Sequence, residues 1–147
     1  QRCNRPAELL DIYPTLVDLA DLPEVDHLEG LSLTSQLTNA NAPRKRPAIT
    51  SHNQGNYSVV SEKWRYVHYV DGAEELYDIV NDPNEWTNLA GKSENEGVLK
   101  SMRKWLPEID NGPTPGSSHR ILTYYHNTPV WEGKIIGKDD PIPHDSL

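Results

Sequence analysis

Apolar positions recur at helical spacing near the start of the chain. Leu9, Leu10, Ile12, Tyr13, Leu16, Val17 and Leu19 give the spacings 9, 12/13, 16 and 10, 13, 17, which predict an amphipathic helix with a broad apolar face. Pro14 removes a donor and clashes one turn back in a regular interior. The helix is therefore expected to have an irregular first turn and a main body over Pro14–Ala20, ended by Asp21-Leu22-Pro23. Gly30-Leu31-Ser32-Leu33 follows, with Ser32 placed to cap a short helical turn through Leu37. Thr38–Pro47 reads as a polar linker and a first subdomain boundary.

From Ala48 the pattern changes. Ala48–Ser51, Tyr57–Ser61, Trp64–Val70 and Glu75–Ile79 are short and rich in Val, Ile, Tyr and Trp, as strands are. Asn53-Gln54-Gly55-Asn56 and Asp71-Gly72 separate them, and Asp-Gly between two such runs signals a hairpin turn. Ser93 and Glu96 fit a Ser-x-x-Glu capping box. Val98, Leu99, Met102, Trp105 and Leu106 then form one helical face, and Pro107 stops the helix. The fold class expected is α+β: a small antiparallel four-stranded sheet with a C-terminal helix packed on one face. After Asp110 a linker over 111–118 leads to a tail with two apolar patches, Ile121–Tyr125 and Val130-Trp131, expected to lie along the body.

Composition refines this picture. The length, 147 residues, suits one domain with a core, while 35% apolar residues falls below the roughly 45–50% of globular domains. With twelve Pro, the chain is read as an ordered segment flanked by arms that need another surface. It starts at Gln1 rather than Met, as a processed or partial chain would, and nothing near that residue reads as a signal peptide. No window approaches the ~18 apolar residues of a membrane span. A net charge of −8 argues against a nucleic-acid partner, which requires a basic face. The one basic run, Arg44-Lys45-Arg46 between two prolines, reads as a solvated linker. A single cysteine, Cys3, excludes an internal disulfide, and its setting favours an incidental role.

Most candidate chemistry fails on inspection. There is no phosphate-binding glycine motif, no HExxH, no paired CxxC and no GxSxG. The six histidines show no ligand-pair spacing, and His68, inside a strand pattern, reads as structural. Glu74 and Glu75 are adjacent in a strand and point to opposite faces, so they cannot share one substrate. Asp139-Asp140 reads as solvated. One cluster remains: Ser51-His52-Asn53-Gln54-Gly55-Asn56 concentrates neutral donors and acceptors in a turn at a strand end, a common place for recognition. An ordinary polar connection is the competing reading.

The ordered segments resemble a known family. Leu9-Leu10-Asp11-Ile12-Tyr13-Pro14-Thr15-Leu16-Val17-Asp18-Leu19-Ala20 is similar to the stretch closing the catalytic domain of sulfatases, and Gly30-Leu31-Ser32-Leu33 to their Gly-x-Ser-Leu segment. Trp64-Arg65-Tyr66-Val67, Glu75-Leu76-Tyr77-Asp78, Asp82-Pro83-Asn84-Glu85 and Asn88-Leu89-Ala90 resemble the C-terminal subdomain of type I sulfatases, in the iduronate-2-sulfatase-like and choline-sulfatase-like branch. The resemblance runs from about residue 3 to about residue 106 and extends to the tail. Two positions depart from it: Asp21 stands where relatives carry a helix-ending Gly, and Val60 where many carry Arg.

The resemblance implies the C-terminal subdomain of an alkaline-phosphatase-like α/β fold, with residues 1–43 ending the catalytic domain, 44–110 forming the subdomain and 111–147 an extended tail. It implies a parent enzyme that hydrolyses sulfate esters using a formylglycine nucleophile and a calcium ion. Cys3-Asn4-Arg5-Pro6 lacks the spacing of the Cys/Ser-x-Pro/Ala-x-Arg motif from which formylglycine is made, so no catalytic or metal residue carries over and this chain alone is expected to be inactive. The partners implied are the N-terminal catalytic domain and a sulfated small molecule or sugar. His52, Asn53 and Asn56 are the substrate-binding residues expected, as hydrogen-bonding groups of the pocket wall. Family habit points to a secreted, periplasmic or lysosomal setting. The alternatives are a phosphonate- or phosphodiester-cleaving relative, distinguished by its upstream nucleophile and metals, and a free-standing binding module. The broad apolar face of the first helix argues against the module, because one small sheet cannot cover it.

Overall fold

The computed structural model describes residues 1–112, 122–131 and 134–140. Residues 1–112 form one compact unit and the chain from Pro113 onward another. In the first unit a 3-10 turn, Leu9–Asp11, runs into α1, Ile12–Leu19. Pro14 falls in the first turn of α1, where backbone N–H groups have no helical acceptor, so the helix accommodates it. Its other end is a Schellman cap. The N–H of Leu22 donates to Val17 O (3.0 Å) and that of Asp21 to Asp18 O (3.2 Å). Asp21 takes φ of +52°, the left-handed conformation that Gly adopts more easily.

A short helix, α2 (Thr34–Thr38), precedes the sheet. Leu33, not Ser32, is its N-cap. The Ser32 hydroxyl accepts from the Thr34 N–H (3.3 Å) and donates to the Asp18 carboxylate (2.7 Å), tying the segment back to α1. Gly30 has a packing role: a Cβ there would sit 2.0 Å from the Leu10 carbonyl oxygen, so the two backbones touch where no side chain fits.

Strands β1 (Ala48–Ser51), β2 (Tyr57–Val60), β3 (Trp64–His68) and β4 (Glu74–Asp78) form an antiparallel meander in the order β1-β2-β3-β4. The register places Ile49, Val59, Tyr66 and Leu76 in one cross-strand row on a single face. On that face lies α3, Glu96–Arg103, which contributes Leu99 and Met102 to a buried core with Val59, Tyr66 and Leu76. The α+β arrangement expected from the sequence is what the chain adopts. The predicted capping box does not form. Ser93 opens a 3-10 turn without a side-chain cap, and Glu96 accepts instead from Arg103 (2.9 Å).

The tail, read from sequence as extended, arranges its described residues as an antiparallel sheet of β5 (Leu122–Tyr125), β6 (Thr128–Trp131) and β7 (Lys134–Ile135). His126 and Asn127, both at positive φ, turn β5 into β6. Ile121 and most of the 111–118 linker lie outside the described residues.

Candidate functional site

The first helix is oriented in an unusual way. The stripe it turns toward its own chain is polar: Asp11, Thr15 and Asp18, at i, i+4 and i+7. Thr15 is buried, donates its hydroxyl to the Asp11 carbonyl (2.5 Å) and accepts the Leu33 N–H (2.9 Å). Asp18 receives the hydroxyls of Ser32 (2.7 Å) and Thr34 (2.6 Å), and these two bonds hold its carboxyl below the usual carboxylate range. The apolar stripe faces away. Leu9, Ile12, Leu16 and Leu19 are 85%, 52%, 58% and 61% exposed. Burying such side chains is the main drive to fold, so this face is built to meet another surface.

The helix is fastened to the sheet by ion pairs that the sequence reading missed. Asp11 and Arg44 pair at 2.5 Å with their side chains 0% and 2% exposed. Burial alone would push the Asp11 carboxyl up, but the Arg44 guanidinium and the N–H groups of Glu8 and Leu31 outweigh it and hold it below the usual range. Beside this pair, Glu8 accepts the Ile49 N–H at 2.7 Å and lies 2.7 Å from the Arg46 guanidinium, an ion contact without directed hydrogen-bond geometry. Arg46 also donates to the Glu29 carbonyl (2.5 Å), and Arg5 reaches Ala42 O, Asn41 O and the Glu62 carboxylate. Arg44-Lys45-Arg46 is therefore a clamp rather than a solvated linker. Its two arginines find carboxylates more than thirty positions earlier.

The turn between β1 and β2 carries the three residues expected to contact substrate. It closes through the His52 N–H donating to Asn56 O (2.9 Å), with Asn53 and Gly55 at φ of +56° and +77°. At Gly55 a side chain would meet Val70 at 2.7 Å, so glycine is required by both conformation and space. The Asn56 amide is committed to the loop: Nδ2 donates to Gln54 O (3.0 Å) and Oδ1 accepts the Val70 N–H (3.3 Å). Asn56 thus fastens the turn to the tip of the β3–β4 hairpin, while His52 and Asn53 stand exposed. The loop offers neutral hydrogen-bonding groups on a fixed frame, which suits holding a polar ligand.

Glu74 and Glu75 engage different partners. Glu74 accepts from Arg103 (2.5 and 2.7 Å) and from the Tyr66 hydroxyl (2.5 Å), whereas Glu75 takes the Tyr77 hydroxyl (2.9 Å). Arg103, against burial and with help from Tyr66, brings the Glu74 carboxyl down to about 2. Burial, followed by the neighbouring Glu75, pushes the Tyr77 hydroxyl up to about 12. His68, opposite Glu74 in the register, has its Nδ1 out of solvent and without a described partner.

Residues 4–112 match the family described as N-sulphoglucosamine sulphohydrolase, C-terminal. The chain belongs to this sulfatase family. It is 30% identical over 125 residues to a sulfatase of Formosa agariphila, covering 85% of this chain and 25% of that protein. To arylsulfatase K of Gallus gallus it is 32% identical over 133 residues, covering 80% of this chain and 24% of the relative. Among solved structures, a 2-O GAG sulfatase superimposes with a TM-score of 0.55 at 26% identity, over 64% of this chain and 22% of that one. The chain spans about a quarter of the length of the curated relatives it matches.

The sulfatase motifs have visible physical work in this fold. Asp82 accepts the Thr87 N–H (2.9 Å), and Asn88 bridges Leu76 N, Ala90 N and Glu74 O, so the Asp82–Ala90 segment seals the outer edge of β4. The calcium and formylglycine implied by the family do not fit the residues present. Among the described residues no three His, Cys, Asp or Glu side chains gather to hold a metal, and Cys3 is exposed outside the modification motif. No described helix is long and apolar enough to cross a membrane.

Proposed function

We propose that this chain is the C-terminal part of an enzyme that hydrolyses sulfate esters to an alcohol and sulfate, completing the fold of an upstream catalytic portion and walling its substrate pocket. The observation that carries this reading is the inverted first helix, with Asp11 and Thr15 buried inward and Leu9, Leu16 and Leu19 turned outward. A free-standing module would place them the other way round. In this reading residues 1–43 end the catalytic domain, 44–110 form the small subdomain and 111–147 its tail. The calcium ion and formylglycine belong to the upstream portion.

The substrate class we propose is a sulfated sugar, supported by the likeness to the 2-O GAG sulfatase and by the neutral donors of the β1–β2 turn. His52 and Asn53 are its contacts, and Asn56 acts by fixing the turn. The order of motifs from Leu9 to Ala90 supports the finer placement in the iduronate-2-sulfatase-like and choline-sulfatase-like branch.

The test uses the whole protein and a sulfated sugar. With one hydrogen bond lost in each, His52→Ala and Asn53→Ala should raise KM about fivefold, leaving kcat little changed. An unchanged KM in both variants removes the turn from the pocket wall.

A further inference from the structure

The two edges of the sheet are treated differently. Along β4 the outward backbone groups are answered by the loop that follows. Asp82 N–H donates to Asp78 O (2.7 Å) and Leu89 N–H to Leu76 O (2.8 Å), while the Asn88 amide accepts the Leu76 N–H (3.0 Å) and donates to Glu74 O (3.2 Å).

Strand β1 has no such cover. The His52 N–H donates to Asn56 O, just before the opposing strand, which by alternation sends the Thr50 N–H inward and those of Ile49 and Ser51 outward. Glu8 takes the Ile49 N–H. No described group takes the Ser51 N–H. The strand, Ala-Ile-Thr-Ser, also lacks the Lys, Pro or bulge that guards an open edge.

Beside this edge runs a groove of about 620 Å³, walled by Leu9, Leu10, Ile12, Leu33 and Ile49. Two of those residues, Leu9 and Ile12, also belong to the outward face of the first helix, so edge, groove and helix face form one continuous surface.

We infer that an extended segment of the upstream catalytic portion adds as a strand to the outer edge of β1, accepting the Ser51 N–H and seating an apolar side chain in the groove. This rests on the reading of the chain as the C-terminal part of a longer enzyme. About three-quarters of the length of the curated relatives lies outside the matched region. The occupant of the helix face is that upstream portion, and the groove shares the face. Glu8 already holds Ile49, so pairing starts at the Ile49 carbonyl and runs toward Asn53. The added strand therefore ends beside the turn that carries His52, and the same contact fixes that turn against the catalytic portion.

Amide hydrogen exchange on the full-length protein tests this residue by residue. The Ser51 amide should be protected like that of Thr50, which β2 holds in any case. Leu10→Glu, at an exposed wall of the groove, should abolish Ser51 protection and leave Thr50 protected. A Ser51 amide that exchanges freely in the unaltered protein overturns the inference, and so does protection that appears only as protein concentration rises, since the strand would then come from a second copy. Thiol labelling of Leu16→Cys in a Cys3→Ser background separates the two claims. A shielded thiol with a free Ser51 amide removes the added strand and keeps helix docking, whereas a reactive thiol with a free Ser51 amide removes both.

Discussion

The Arg44 guanidinium lies 2.5 Å from the Asp11 carboxylate, and neither side chain is open to solvent. The pair joins the 3-10 turn ahead of α1 to the chain entering β1, and Asp11 adds the N–H groups of Glu8 and Leu31. Removing one member of such a pair leaves a buried charge unanswered, which costs about 3–5 kcal/mol. Arg44→Met should lower stability by that amount in urea unfolding. Adding Asp11→Asn to it should recover part of the loss, because a neutral amide still accepts the Leu31 N–H. A loss below ~1 kcal/mol for Arg44→Met would show the clamp to be dispensable.

The left-handed Asp21 gives a prediction of opposite sign. A non-glycine residue in that conformation costs about 1 kcal/mol that Gly avoids, offset in part by the greater freedom of Gly in the unfolded chain. Asp21→Gly should therefore stabilise the protein by about 0.5 kcal/mol, seen as a higher melting temperature. Destabilisation would mean that the Asp21 side chain makes a contact of value.

Acid should weaken the contact between α3 and the sheet. The Glu74 carboxyl has a folded value of about 2 against an ordinary 4.5, so its contribution is complete above pH 4.5 and is lost as pH falls toward 2. The stability gap between the unaltered protein and Glu74→Gln should close across that interval in urea unfolding. A gap constant from pH 6 to pH 2 would contradict the role given to Arg103.

Local patterns in the sequence were enough for the four-stranded sheet and α3, but not for the sheet of the tail. β1 was expected at Ala48–Ser51 and spans those residues, while β4 was expected at Glu75–Ile79 and spans Glu74–Asp78. The period-2 and period-3.6 signals are carried by neighbouring residues, and Asp71-Gly72 forms its turn with Gly72 at φ of +85°. What escaped was long-range. Nothing local says that Arg44 meets Asp11 or that Arg46 meets Glu8, so three basic residues between prolines looked like a solvated run. The capping box failed for a local reason instead: Ser93 opens a 3-10 turn rather than standing as the N-cap of α3, and Glu96 pairs with Arg103 at the far end of the same helix. At the candidate site the turn itself was legible from its Asn and Gly residues. That Asn56 is spent on Val70 was not, because the β3–β4 hairpin tip is neighbour to it only in space.

Sulfate release, measured in parallel for the whole protein and for residues 1–147 alone, tests the account at its root. The whole protein should liberate sulfate from a sulfated sugar, and the isolated segment, whose described residues gather no metal-holding cluster, should liberate none. Turnover by the segment alone would place the chemistry inside these residues and contradict the account.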